Sequence, residues 1–397
     1  MEKLVQFGAG AIGRSFIGQL FARGGYEVVF VDVSRPIIEA LNERRSYRVE
    51  IRDDPPGELL VQNVRAVDGN DREAVVRELS TARIAGTAVG ANALRFIYPA
   101  LAAGLLERRR LGVGPLDIIL CENLHHAAAI TREGLRAELP PQFPLDEYAG
   151  LVETSIGKMV PLMPESMRSQ DPLLVCGEAY NTLIVDARAF KNPIPEIPGL
   201  APRANMSAYV DRKLYIHNLG HAAVAYEAAR RHPAIATIDR AVREADVREL
   251  AETAMRESAA ALAKAYPEEF TMEDLENHIQ DLLHRFANPA LGDTVFRVGR
   301  DVRRKLGRHD RIIGAMLTDL AQGVEPTATA EVAAAALEFR TPGENGELDP
   351  SDHAFITEDS PKGLEHVLSH ISGLDRAQPL DRKAWDLIQG AIGRGAL

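Results

Sequence analysis

Three side chains suited to acid–base and hydrogen-bond chemistry lie close together in the segment DRKLYIHNLGHAAVAYEAARR, namely Lys213, Asn218 and His221. On an α-helix that advances about 100° per residue they fall at roughly 0°, 140° and 80°, so one face could present all three to a pocket. A desolvated lysine can exchange a proton with a hydroxyl group, and an asparagine can donate to a developing alkoxide. The pattern therefore suits oxidation of an alcohol by hydride transfer. His217 lies at about 40° on the same face, so geometry alone does not exclude it as the functional histidine. A polar helix face with a purely structural role is also left open.

A glycine-rich turn near the N-terminus could hold the cofactor for such a reaction. Gly8, Gly10 and Gly13 form GxGxxG between an apolar strand and a helix, a spacing that allows a tight turn, close approach to a pyrophosphate and close helix packing. The helix N-terminus then directs its free N–H groups at that anion. Asp32 follows at the end of the second strand, where a carboxylate accepts hydrogen bonds from ribose hydroxyls and repels a 2′-phosphate. We therefore predict NAD rather than NADP, although Arg35 could hold a 2′-phosphate.

Short β-rich runs alternate with helical stretches in the first half of the chain, which predicts a parallel sheet with crossover helices. The candidate strands are Leu4 to Phe7, Val28 to Val31, Ile84 to Val89 and Ile118 to Cys121. Two further β-like stretches, Leu151 to Val160 and Leu173 to Val185, look like strands added to the same sheet.

A proline-rich segment separates this half from a helical one. Four prolines lie between Lys191 and Pro202, a density that helices and central strands exclude. Beyond it the pattern is almost wholly helical, with Lys213 to Arg231, Ile238 to Ala265 and Met272 to Phe286 as the clearest helices. We predict an α/β chain with a dinucleotide-binding Rossmann-type domain over residues 1–197, which carries the added strands. A mainly α-helical substrate and catalytic domain is predicted over residues 198–397.

The composition narrows the class of partner. The 397 residues are 46% hydrophobic and 26% charged, with a formal net charge of -11, which disfavours nucleic acid and anionic membrane surfaces. With only two cysteines and neither a signal-type apolar stretch nor a long apolar run, a cytoplasmic protein is expected. We expect no nucleic acid or membrane partner.

Two clusters of polar residues have competing interpretations. Cys121, Glu122, His125 and His126 look like metal ligands, but neighbouring strand residues point to opposite faces and no second cluster completes four ligands. No metal is predicted. The run from Arg297 to Arg311 contains seven basic residues, which would suit a sugar phosphate, but a solvated or salt-bridged face explains it equally well.

The whole pattern resembles the polyol-specific long-chain dehydrogenases. The resemblance rests on lysine-x4-asparagine-x2-histidine in KLYIHNLGH, and on FGAGAIGRSFIG, TAVGANAL, CENLHH and DTVFRVGRDVRRKLGRHDR. It implies that Lys213 is the general acid/base, that Asn218 and Asn123 stabilise the oxyanion, and that His221 binds and orients the substrate. It also implies a metal-free enzyme with NAD as cofactor. The substrate implied is a small-molecule sugar phosphate or polyol, and the assembly a monomer or weak homo-oligomer. The cofactor contacts are expected at Gly8, Ala9, Gly10, Ala11, Ile12, Gly13, Asp32, Val33, Thr87, Ala88, Val89 and Asn123.

One departure bears on the substrate. Members of this family commonly carry a VDRIVP-like stretch where this chain has IGKMVP, with Gly157 and Lys158 in place of the acid and the arginine. The expected reaction is interconversion of mannitol 1-phosphate and fructose 6-phosphate, or of a close sugar-phosphate pair. Alternatives are an unphosphorylated polyol, a hexuronate/aldonate pair, or a hydroxyacid or 6-phosphogluconate-type dehydrogenase. A further alternative is a dinucleotide-binding regulator that has lost catalysis.

Overall fold

The strands of the first half form two sheets. The computed structural model describes residues 1–122, 124, 126–161, 163, 167 and 170–395. In chain order the strands are β1 Lys3–Phe7, β2 Glu27–Asp32, β3 Ser46–Ile51, β4 Gly57–Gln62, β5 Val64–Asp68, β6 Ile84–Thr87, β7 Leu116–Leu120, β8 Ala149–Ile156, β9 Val175–Gly177, β10 Leu183–Asp186 and β11 Leu200–Arg203. The larger sheet has the order β11-β10-β8-β7-β6-β1-β2-β5, and the smaller has β4-β3-β9.

The central strands of the larger sheet are parallel and buried on both faces, as continuous apolar runs predict. Side chains alternate between the faces: Leu4 and Phe30 belong to one core cluster, Val5 and Val29 to the other. Both faces are therefore covered, which is the doubly wound arrangement of a Rossmann-type domain. The predicted α/β fold class is confirmed.

The prediction for the added strands is partly wrong. β8 and β10 do extend the larger sheet, with an antiparallel pairing between them. However, β9, which lies inside the predicted stretch Leu173 to Val185, pairs in parallel with β3 in the smaller sheet. The hairpin of β3 and β4 was not predicted because its strands are partly exposed and carry charged residues. The edge strand β11 contains Pro202, a position where a missing N–H donor is tolerated.

The helices fall into two groups. The chain divides into two compact units, Met1–Met206 and Ser207–Leu397; the division at residue 197 stays a prediction about sequence domains. The α-helices of the first unit are Gln19–Arg23, Arg35–Arg44, Arg72–Ser80, Leu94–Leu111, Ala127–Glu138 and Leu145–Tyr148. From Met206 onward they are Met206–Arg212, Leu219–Arg231, Ile238–Ala241, Ala245–Ala265, Met272–Phe286, Val295–Gly299, Val302–Lys305, Ile313–Ala321, Thr327–Glu338, Pro350–Ala354, Leu364–His366 and Pro379–Gly395. Short π-helices cover Gly13–Gly18, Lys213–Asn218, Phe355–Asp359 and Val367–Ile371, and short 3-10 helices cover Ala91–Ala93, Ala187–Ala189, Pro289–Leu291 and Ser360–Lys362.

The second unit is built around the helix Leu219–Arg231. Nearly every residue of this helix from Leu219 to Ala228 is buried, because neighbouring helices pack on several sides of it. Gly220 faces the side chain of Met255 on the helix Ala245–Ala265, so close that a Cβ at residue 220 would overlap the sulfur. The start of this central helix is therefore held firmly in the core of the unit.

Candidate active site

Lys213 and Asn218 are the first and last residues of a π-helical turn, not of the regular α-helix that the sequence predicts. The N–H of Leu219 bonds to the carbonyl of Leu214, five residues earlier. In such a turn residues five apart become neighbours along the helix, so the positions of Lys213 and Asn218 are closer to one face than the α-helical angle of about 140° implies. The α-helix continues directly after Asn218, and His221 lies in its first turn.

The amine of Lys213 has an environment that favours its neutral form. The side chain is half-buried. Desolvation and, to a smaller extent, the positive charge of Arg311 together lower the pKa of Lys213 to about 8. A lysine with this pKa exchanges a proton readily near neutral pH.

The imidazole of His221 is held between an aromatic ring and a carboxylate. Its ring stacks on Phe286 with centroids 4.6 Å apart and planes 8° apart, and its Nε2 lies 3.5 Å from Oδ2 of Asp293. Desolvation lowers the pKa of His221 to about 4, although Asp293 opposes that shift. His221 is therefore a neutral hydrogen-bonding group at physiological pH rather than an acid.

His217, which the helical angles left open, has a different environment. It is buried, and its ring lies 5.8 Å from Phe286 and 6.3 Å from His221, between centroids. Burial lowers the pKa of His217 well below its usual value, with Arg285 as the next cause. This neutral, enclosed ring suits packing beneath the polar face better than contact with a substrate.

The basic run from Arg297 to Arg311 is largely neutralised. Each of its six arginines pairs with a carboxylate. Four of the pairs are Arg300 with Asp349 at 3.7 Å, Arg304 with Asp310 at 2.9 Å, Arg308 with Asp381 at 2.7 Å and Arg311 with Asp310 at 2.8 Å. The other two are Arg297 with Asp293 and Arg303 with Asp359. The salt-bridged interpretation of the run is therefore favoured for most of its members.

Lys305 is the exception within this run. It is buried, and its Nζ donates to the backbone carbonyl of Arg300. Among the residues that the structure describes, no carboxylate lies within ion-pairing distance of its amine. Desolvation lowers the pKa of Lys305 to about 7, with Arg311 as the next cause. The positive charges of Lys305 and Arg311 both contribute to the lowered pKa of His221.

The glycine-rich turn has the geometry that a dinucleotide requires. Gly8 adopts φ +88°, and a Cβ there would come within 2.5 Å of the carbonyl oxygen of Ala88. A Cβ on Gly13 would overlap the carbonyl oxygen of Gly8, whereas Gly10 is exposed with open space beside it. Gly8 and Gly13 therefore shape the turn, and Gly10 leaves its surface free for a pyrophosphate. The predicted contact residues Ala11 and Ile12 follow directly, the first exposed and the second half-buried.

Asp32 is tied to this turn. One of its carboxylate oxygens accepts from the N–H of Ala9 at 2.7 Å and the other from the N–H of Ser34 at 2.9 Å. Val33, a predicted contact residue, is exposed beside it. The carboxylate is thereby fixed at the end of β2 with acceptor capacity left for a ribose hydroxyl.

Glu122 organises the neighbouring loop. Its buried carboxyl group accepts from Oγ1 of Thr87 at 2.5 Å and from the N–H of Val89 at 3.0 Å, and burial raises the pKa of Glu122. The N–H of Ala88 donates to the carbonyl of Phe7. The predicted contact residues Thr87, Ala88 and Val89 thus lie at the carboxyl edge of the sheet, where such folds bind ligands. The sequence had presented Glu122 only as a metal-ligand candidate.

Two predicted residues lie outside the described residues, namely Asn123, expected at the oxyanion and the cofactor, and His125. Within the described ranges, no group of three or more histidine, cysteine, aspartate or glutamate side chains is suited to a metal ion. The expectation of a metal-free protein stays a prediction.

Lys158, the departure in the IGKMVP segment, makes contacts that hold neighbouring parts of the fold together. Its Nζ donates to the carbonyls of Glu178 at 2.8 Å and Tyr180 at 2.7 Å, and it lies 5.3 Å from the centroid of the Phe16 ring. These contacts tie β8 to the segment between β9 and β10. They give the residue a structural role in this part of the fold.

Fold and site together define a dehydrogenase with a Rossmann-type domain and a helical second unit. Residues 2–199 match the family model described as the mannitol dehydrogenase Rossmann domain, and residues 205–372 match that of the mannitol dehydrogenase C-terminal domain. The chain belongs to the mannitol dehydrogenase family. The resemblance to polyol-specific dehydrogenases and the expectation of a dehydrogenase are thereby confirmed.

One relative is similar to the chain in sequence, and two solved structures are similar to it in fold. A mannitol-1-phosphate 5-dehydrogenase of Brevibacillus brevis is 34% identical over 381 residues, covering 95% of each chain. The fold is similar to that of a D-sorbitol dehydrogenase in substrate-free form, with a TM-score of 0.76, 15% identity and coverage of 99% of this chain and 93% of the other. It is also similar to a Pseudomonas fluorescens mannitol 2-dehydrogenase in ternary complex with NAD and D-mannitol, with a TM-score of 0.69, 16% identity and coverage of 99% and 91%. No helix in the described part of the chain has the length and apolar character needed to span a bilayer.

Proposed function

We propose that this chain is an NAD-dependent oxidoreductase that interconverts mannitol 1-phosphate and fructose 6-phosphate, with Lys213 as general acid/base. The observation that carries the chemistry is the Lys213 amine, whose pKa is lowered to about 8 in a π-helical turn that also contains Asn218. The choice of substrate is supported by the 34% identity over 95% of both chains with the mannitol-1-phosphate 5-dehydrogenase.

The proton chemistry follows from the side chains. In the oxidative direction the neutral Nζ of Lys213 accepts the hydroxyl proton while the C–H hydrogen leaves with its electron pair. A bound nicotinamide ring would accept that hydride in oxidation and supply it in reduction. Asn218 donates a hydrogen bond to the oxygen as its negative charge develops, and His221 binds a substrate hydroxyl. In reduction, the protonated Lys213 returns the proton to the same oxygen.

The activity should respond to pH in opposite senses in the two directions. Oxidation requires neutral Lys213, so kcat/KM for mannitol 1-phosphate should fall about tenfold per unit below the pKa of about 8. Reduction requires the protonated amine, so kcat/KM for fructose 6-phosphate should fall above that pH. Initial rates between about pH 6 and 10 measure both limbs. A profile that is flat through the pKa in both directions would contradict the role of Lys213.

Substrate choice can be tested directly. We would follow NADH absorbance while offering fructose 6-phosphate, fructose, fructuronate and tagaturonate in parallel. Selective turnover of fructose 6-phosphate is expected. Turnover of another ketose would be consistent with the Lys213 mechanism, but it would identify the substrate as an unphosphorylated polyol or an aldonate. Silence with all four would favour a regulator that binds a dinucleotide without catalysis.

Lys305 is the proposed phosphate contact, because its buried amine has only a backbone partner among the described residues and its positive charge contributes to the lowered pKa of His221. Lys305→Met should raise KM for fructose 6-phosphate about tenfold or more with a smaller change in kcat. Inorganic phosphate should inhibit the wild-type enzyme competitively and the variant less. Lys362→Met is the control, since it removes an exposed lysine that pairs with Asp359, and it should change neither KM nor kcat. Equal inhibition of all three proteins by inorganic phosphate would exclude Lys305 as the phosphate contact.

Asp32 supports the preference for NAD over NADP. Asp32→Asn removes the charge that repels a 2′-phosphate, so the ratio of kcat/KM with NADPH to that with NADH should rise about tenfold. Asp68→Asn is a matched control, since Asp68 ends the neighbouring strand β5 opposite Asp32. Steady-state rates with both coenzymes give the ratio. An unchanged ratio in Asp32→Asn would remove this carboxylate from coenzyme selection.

Location and assembly stay predictions from the sequence. Cys121 and Cys176 are free thiols in the structure, which supports a reducing compartment such as the cytoplasm. The absence of nucleic-acid and membrane partners and the monomer or weak homo-oligomer stay predictions.

A further inference from the structure

The imidazole of His221 has one nitrogen in an unusual position. Its Nε2 is buried and makes no hydrogen bond with any residue that the structure describes. The nearest acidic oxygen is Oδ2 of Asp293, 3.5 Å away. The stacked ring of Phe286 keeps the imidazole in one plane, so the Nε2 edge is aimed at the carboxylate rather than at solvent.

Asp293 is itself firmly positioned. Its backbone carbonyl accepts from the N–H of Ile238 at 2.9 Å, and the next residue, Thr294, forms an isolated antiparallel β-bridge with Thr237. Its Oδ1 is paired with Arg297. Since one oxygen is engaged by the guanidinium, Oδ2 is the oxygen left to act on His221.

This arrangement selects between the two neutral forms of the imidazole. A carboxylate only accepts hydrogen bonds. An Nε2–H is attracted to the oxygen at 3.5 Å, whereas an Nε2 lone pair would be repelled by it. The proton of neutral His221 therefore belongs on Nε2, which leaves Nδ1 as an acceptor.

We propose that Asp293, held by Arg297, is a positioning residue that fixes the tautomer of His221, so that Nδ1 accepts a hydrogen bond from a substrate hydroxyl. This proposal rests on the proposed function for the identity of the donor, since a polyol or ketose offers hydroxyl groups. The tautomer itself is a property of the free protein. It can therefore be tested whether or not the enzyme turns over the expected substrate.

The direct test is ¹⁵N NMR of the full chain labelled in its histidines, without substrate at about pH 7, where His221 is neutral. His221→Asn identifies the His221 signals by their loss. In wild type we expect a protonated Nε2 and an unprotonated Nδ1. In Asp293→Asn the preference should weaken or reverse, because the amide can donate to Nε2. A wild-type His221 protonated on Nδ1 would overturn the proposal, as would an unchanged tautomer in Asp293→Asn.

A matched control separates this effect from the general loss of a carboxylate. Asp246 faces His232 at 2.9 Å on the exposed surface of the same unit. Asp246→Asn should change the signals of His232 and leave both those of His221 and the activity as in wild type. If Asp246→Asn alters the His221 tautomer as much as Asp293→Asn does, the specific role of Asp293 is wrong.

Kinetics add a second measurement. Asp293→Asn should lower kcat/KM about tenfold or more, mainly through KM, since a hydrogen bond to the substrate is lost while Lys213 is intact. Phe286→Leu keeps an apolar side chain but removes the stacked ring, so it should raise KM while the tautomer persists. A fall in kcat alone in Asp293→Asn, with unchanged KM, would contradict a role in substrate binding. If wild type turns over no ketose, the proposed function fails while the NMR result still decides the role of Asp293.

Discussion

Lys213→Ala should lower kcat about a thousandfold in both directions, because a positioned acid/base contributes roughly 10²–10⁴ to a proton transfer. The amine is the group whose pKa the fold lowers to about 8, and alanine cannot replace it. NADH affinity should change little, since the glycine-rich turn lies in the other compact unit. Stopped-flow single turnovers give the chemical step, and titration with NADH gives the dissociation constant.

A matched lysine distinguishes loss of the catalytic amine from loss of charge. Lys264 lies exposed on the helix Ala245–Ala265 and donates to the carbonyl of Gln322 at 3.2 Å. Lys264→Ala should retain wild-type kcat. Addition of a small primary amine should partly restore Lys213→Ala and leave Lys264→Ala unaffected. Wild-type turnover in Lys213→Ala would remove the general acid/base from the mechanism, whatever the substrate.

Two glycine substitutions in the same turn should weaken NADH binding for different reasons. Gly10→Ala places a Cβ in open space, so the free energy of unfolding should stay close to wild type. The methyl group would nevertheless occupy the surface that a pyrophosphate approaches, and the dissociation constant for NADH should rise about a hundredfold. Thermal unfolding and NADH titration measure the two effects separately.

Gly13→Ala should instead destabilise the fold. Its Cβ would overlap the carbonyl oxygen of Gly8, a backbone atom that cannot move without opening the turn. We expect a loss of about 1–3 kcal/mol in unfolding free energy, together with loss of NADH binding. Equal stability of the two variants would contradict the packing role of Gly13, and unchanged NADH affinity in Gly10→Ala would mean that the turn does not hold the dinucleotide.

The larger sheet was predictable because of how its strands are buried. Strands such as β7, covered on both faces, are continuous apolar runs and stand out from the sequence. The smaller sheet was not predictable, since β4 is mostly exposed and β9 has only three residues. The pairing of β9 with β3 joins chain segments more than 100 residues apart, and no local pattern specifies it.

The candidate site was predicted in its residues but not in its geometry. Lys213, Asn218 and His221 share one segment, so their spacing is visible locally. The π-helical turn is not visible in the sequence. Side-chain types do not show whether a backbone N–H bonds to the carbonyl four residues earlier or to the one five residues earlier. Asp293 is distant from His221 in sequence, and Phe286 looked like any core residue. Only folding brings these two residues to the imidazole.

The π-helical turn makes the length of its segment as constrained as its composition. An α-helix advances about 100° per residue, so if these six residues formed a regular α-helix at their present number, every later side chain would rotate relative to the amine. His221 would then leave the faces of Phe286 and Asp293 that hold it in place. A further residue inserted among these six would rotate the later side chains in the same way, so insertions should be tolerated in the surface loops but not in this turn.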